Sequence, residues 1–134
     1  MKLIVLLGRI LFSFIFLKAG FDHFSKESIG YAAAQGVPAA SFFVPVSGIL
    51  AIIGSISIIL GYKAKAGAWL IVLFLVPVTL MMHNFWTLTD PMMKQMQMAM
   101  FLKNVSMLGG ALLITYFGSG PLSLDSKRQE KIKS

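Results

Sequence analysis

Four apolar stretches, at about residues 3–20, 42–60, 66–82 and 98–117, dictate what this chain can fold into. Each is close to the 20 residues an α-helix needs to cross the ~30 Å hydrocarbon core of a bilayer. Four such helices use roughly 80 of the 134 residues, so the rest forms termini and loops and no extramembrane domain fits. Composition agrees: 57% of residues are apolar and 13% charged, too few polar groups to coat a soluble core. The expected fold class is an all-α integral membrane four-helix bundle with antiparallel spans. The chain has no cysteine, which excludes disulfide exchange, a thiolate nucleophile and a Cys-ligated cluster.

The first stretch also reads as a signal peptide, but Arg9 interrupts it and no clean small-x-small cleavage site follows, which favours a retained helix. Lys63 and Lys65 mark a very short turn that sets spans two and three antiparallel. Pro77 lies inside span three and predicts a kink there. Asp90-Pro91 reads as an N-cap with proline at the first helical position, and that helix continues to Phe117. At 27 residues it is about 40 Å long, so its Met-rich start projects into the headgroup layer. The 21–41 loop is apolar enough to carry a short interfacial helix at about 28–35, stopped by Gly36 and Pro38. A polar, basic tail covers residues 126–134.

The net charge of +7 is concentrated on one side, with Lys2, Lys63, Lys65 and four basic residues between 127 and 133. Only Lys26 and Lys94 lie clearly on the other, so both termini are expected to face the cytoplasm. Trp69 and Trp86 stand 17 residues apart, about 26 Å, near the separation of the two aromatic belts. This charge suits anionic lipid rather than nucleic acid.

The same orientation sends several polar residues to the outer half: Lys18, Asp22, His23, His83, Asn84, Trp86, Lys103 and Asn104. Polar groups at membrane depth usually face the bundle interior and a partner. Lys18 and Asp22 have ion-pair spacing, although Lys18 also has the snorkelling reading. Lys103 lies more than a turn below the interface, which favours an interior partner over helix tilt. Two histidines without ligand spacing favour ordinary hydrogen bonds over metal or haem. Arg9 reads as a snorkelling side chain. The methionines between 92 and 100 read as packing ahead of copper(I) ligands, and no metal site is assigned. Ser47, Ala51 and Ser55 form a small-xxx-small face for helix packing, within the bundle or against another subunit.

The run from about residue 3 to 125 resembles the DoxX family of small bacterial four-helix membrane proteins. The resemblance rests on Gly8-Arg9-Ile10, Ala19-Gly20, Gly36-Val37-Pro38, His83-Asn84-Phe85-Trp86, Phe101-Leu102-Lys103-Asn104, Gly109-Gly110 and Ser123-Leu124-Asp125. It implies a four-helix bundle in the bacterial cytoplasmic (inner) membrane and a link to quinone, sulfur or oxidative-stress chemistry. Many DoxX-like sequences carry a glutamate where this chain has Ala51, which argues against independent catalysis. The expected function is a subunit or partner of a membrane redox system with a quinone-sized pocket in the outer half. The rival reading is a non-catalytic accessory subunit of a membrane complex or homo-oligomer.

Overall fold

The computed structural model describes all 134 residues. It is all helical: α1 (Lys2–Asp22), α2 (Lys26–Ala34), α3 (Ala40–Leu60), α4 (Ala64–Met82), a 3-10 turn (Phe85–Thr87), α5 (Pro91–Phe117) and α6 (Leu124–Lys133). Helices α1, α3, α4 and α5 are long and apolar enough to span a bilayer. They pack in the order α1, α3, α4, α5, with antiparallel neighbours. The Phe12 ring of α1 reaches Gly110 of α5 and closes the bundle.

Within a bilayer, apolar side chains gain nothing by leaving lipid, so helices associate where their backbones approach closely. Two glycine pairs make that approach possible. A Cβ on Gly48 would lie 2.6 Å from the Gly20 carbonyl, which sets the α1–α3 crossing. A Cβ on Gly54 would lie 2.8 Å from the Gly67 carbonyl, which sets the α3–α4 crossing. Between these points the core is filled by Phe16, Ala51, Ile58, Ala68, Ile71, Phe74, Leu75 and Ala111.

The register of α1 shapes the outer half. Arg9 lies level with Gly61 and Ser119, whereas Gly20 lies level with Gly48 and Ile52. Helix α1 therefore ends, at His23, beside Ser47 and Phe74. Phe74 is eight residues before the end of α4, about 12 Å of helix. The chain then turns into α2, whose N-cap Ser25 accepts a 3.1 Å hydrogen bond from the Ser28 N–H. Ala32 packs with Ala40 and Val44 of α3, and Ile29, Val37 and Met82 close around them. The short helix is Lys26–Ala34, and Gly36 (φ +87°) turns the chain away after it.

Helix α5 begins where Asp90 accepts the Met92 N–H and runs 27 residues to Gly118. Gln97 is level with His83, so residues 91–96 project beyond α4. Helix α4 runs unbroken through Pro77. The basic tail is itself helical, capped reciprocally by Ser123 and Ser126. Arg9 does not snorkel: its side chain is buried and donates to Ser119 O (3.0 Å) and Leu122 O (2.5 Å), joining α1 to the α5–α6 loop.

Candidate functional site

The early end of α1 and the fold-back of α2 enclose an outer-half cavity of about 610 Å³. Its walls are mainly apolar, from Val37, Phe43, Val44, Val46, Leu50, Leu73, Val78, Met81 and Met82. This volume lies within the usual range for small-molecule sites. His23, Ser28, Tyr31, Ser47 and His83 supply polar groups. Pro77 also lines the cavity and has no N–H to give the Leu73 carbonyl one turn earlier.

The hydrogen bonds define the chemistry of the two imidazoles. Ser47 Oγ donates to Val44 O (2.7 Å), so its lone pair faces His23 Nδ1 at 2.9 Å. His23 Nδ1 therefore carries the hydrogen. His83 Nδ1 faces Gln97 Oε1 at 2.8 Å, and a carbonyl oxygen only accepts, so this Nδ1 is protonated too. Neither Nε2 has a hydrogen-bond partner. In the neutral rings both Nε2 atoms are acceptors without a protein partner, on residues that line the cavity. The His23 ring is further held against Phe74, with centroids 5.3 Å apart.

Other polar residues of the outer half lie elsewhere. Lys18 and Asp22 pair at 2.5 Å on the exterior. Asn84 starts the 3-10 turn, where its carbonyl accepts from Thr87 Oγ1. Trp86 is half exposed and packs on Phe85 and Phe101. Lys103 is exposed, with its Nζ 3.4 Å from Met100 Sδ. Asn104 is buried on α5, on the face that also buries Ala111. None of these six lines the cavity; His23 and His83 do. Ser47 serves the site by orienting His23, while Ala51 and Ser55 are fully buried inside the bundle. No group of three His, Asp or Glu side chains converges. Sequence reasoning missed Tyr31, Val37 and Met82 as cavity residues; the apolar character of the 21–41 loop was the available signal.

Comparison with known proteins corrects the resemblance drawn above. The chain is 27% identical over 126 residues to the inner membrane protein YphA of Escherichia coli K12, covering 92% of this chain and 89% of YphA. It is 28% identical over 129 residues to the inner membrane protein YqjF of the same organism, covering 95% and 93%. Against the ER-derived vesicles protein ERV29 of Saccharomyces cerevisiae it is 33% identical over 81 residues. That match covers 60% of this chain but only 26% of ERV29, so the chain spans about a quarter of that relative. No solved structure matches. With these relatives and four spanning helices, the chain is a multi-pass inner-membrane protein.

The family match is to SURF4 and not to DoxX, and the implied link to quinone, sulfur and oxidative-stress chemistry loses its basis. The motifs that suggested DoxX are two to four residues long. Several of them, such as Gly20 at a helix crossing and Ser123 at a helix cap, meet packing and capping needs common to helical membrane bundles. They report the architecture rather than the lineage. The sequence model that matches residues 1–131 is that of the SURF4 family, and the chain belongs to that family.

Proposed function

We propose that this protein holds a lipophilic, hydroxyl-bearing small molecule in the outer half of the membrane, a reduced quinone being one such class. The observation that carries this reading is the pair of imidazoles on residues lining an apolar cavity, with Nδ1 atoms engaged and Nε2 acceptors without a protein partner. A ligand with hydroxyl donors satisfies both acceptors. An oxidised quinone has only carbonyl acceptors and would leave both Nε2 atoms unpaired, at roughly 1–3 kcal/mol each. The expected redox association thus narrows to a preference for one oxidation state of the ligand. The accessory reading gains no support from the Ser47–Ala51–Ser55 face, because Ala51 and Ser55 are buried within the bundle.

Calorimetric titration of the protein in mild detergent, with a short-tailed quinol and its matching quinone, tests the proposal. The quinol should bind about tenfold more tightly or better, equivalent to about 1.4 kcal/mol. His23→Ala and His83→Ala should each remove most of that preference. Equal affinities for the two forms, or binding of neither, would overturn the reading.

A further inference from the structure

A second depression, of about 730 Å³, lies at the opposite end of the bundle. It is bounded by the start of α4, the end of α5 and one side of α6. Lys63, Lys65 and Arg128 all border it, and none has a carboxylate partner, since the chain's one ion pair is Lys18–Asp22 at the outer end. Asp125 also lines the depression, but its carboxylate is occupied. Oδ1 accepts the Lys63 N–H at 2.9 Å, and Oδ2 accepts the Ala64 N–H and the Ser119 hydroxyl, each at 3.2 Å. Its charge serves the fold and leaves the three cations without a carboxylate contact; Lys63 Nζ lies 5.6 Å from the centroid of the Tyr62 ring.

The site is shaped as well as charged. Gly118 has φ +78°, and its missing side chain leaves room for the Lys65 stem: a Cβ there would lie 3.3 Å from Lys65 Cε. Phe117 and Ile132, each about three-quarters exposed, add apolar surface to the rim. Ala64 and Phe117 are the terminal residues of spanning helices, so the depression sits at headgroup level on the side where basic residues accumulate.

From this placement we infer that the depression binds the phosphate of an anionic phospholipid of the cytoplasmic leaflet. Lys63, Lys65 and Arg128 meet the phosphate, and Phe117 and Ile132 meet the glycerol and upper acyl chain. A lipid is favoured over a water-soluble phosphate because exposed apolar surface borders the cations at the membrane boundary. This site is independent of the outer cavity.

Native mass spectrometry of the full chain in detergent, with phosphatidylglycerol or phosphatidylcholine added, supplies the test. Phosphatidylglycerol should bind at least about tenfold more tightly than phosphatidylcholine. The Lys65→Gln/Arg128→Gln variant, altered only at accessible side chains, should lose that preference, and Lys26→Gln/Lys94→Gln at the outer end should keep it. Millimolar glycerol 3-phosphate should fail to displace the lipid. Equal retention of both lipids, an unchanged preference in the Lys65/Arg128 variant, or its loss in the outer-end variant would overturn the inference. Efficient displacement by glycerol 3-phosphate would also overturn it, by assigning the site to a soluble phosphate.

Discussion

Ser47 and Arg9 show how one side chain acts through geometry that spacing does not display. Ser47 belongs to a small-residue face, yet its hydroxyl bridges Val44 O and His23 Nδ1. Ser47→Ala should leave the bundle folded and weaken hydroxyl-ligand binding several-fold, because His23 is then free to turn or change tautomer. Unchanged titration in Ser47→Ala would dissociate this serine from the site. Arg9 binds two loop carbonyls from a buried position. Hydrogen bonds to charged groups contribute roughly 1.5–3 kcal/mol, so Arg9→Met should destabilise the protein by about 2–3 kcal/mol. Chemical unfolding in detergent measures that loss; a snorkelling arginine would give almost none. Lys103 and Asn104 are adjacent in sequence, but α5 turns 100° per residue, which exposes one and buries the other.

At the scale of elements, the glycine crossings and the short reach of α1 organise the outer half. Gly48→Ala places a methyl group against the Gly20 backbone carbonyl, which no rotamer change relieves. Overpacking of this kind should cost about 1–3 kcal/mol, read as a lower unfolding midpoint. Gly109 is the contrasting case, with open space where its Cβ would project. Gly109→Ala should be neutral or stabilise by up to roughly 1 kcal/mol, through the helix preference for alanine. A similar gain at both positions would show that helix propensity, not backbone contact, governs these glycines. The α1 terminus at His23 has a comparable role: extending that helix would fill the space that α2 and the cavity occupy.

The four-span architecture was legible from the apolar stretches, and the Asp90-Pro91 signal located the start of α5. The candidate site was legible only in part. His23 and His83 line the outer cavity, while the other polar residues assigned to that half fall on the 3-10 turn, the exterior or α5. For the whole molecule, the lysine and arginine distribution assigns both termini to the cytoplasmic side. The absence of native cysteine makes this directly testable. Cysteine replacing Glu27 should react with an impermeant maleimide in intact spheroplasts, whereas cysteine replacing Lys131 should react only after permeabilisation. The reverse pattern would invert the topology and move the proposed lipid site to the outer leaflet.

Hydropathy along the chain was enough for the all-helical membrane bundle and the number of spans, because a bilayer demands long apolar helices. Which polar residues meet was a different matter. That depended on the vertical offset of α1 against α3, set by Gly20 meeting Gly48, and on the fold-back of α2 above it. These contacts join residues dozens of positions apart and leave little periodic trace. The same offset brings His23 to Ser47 and leaves room for the cavity, and packing at the other end presses Asp125 against the α3–α4 turn. The scarcity of polar residues identified a membrane protein; their pairing required helices packed at one particular height.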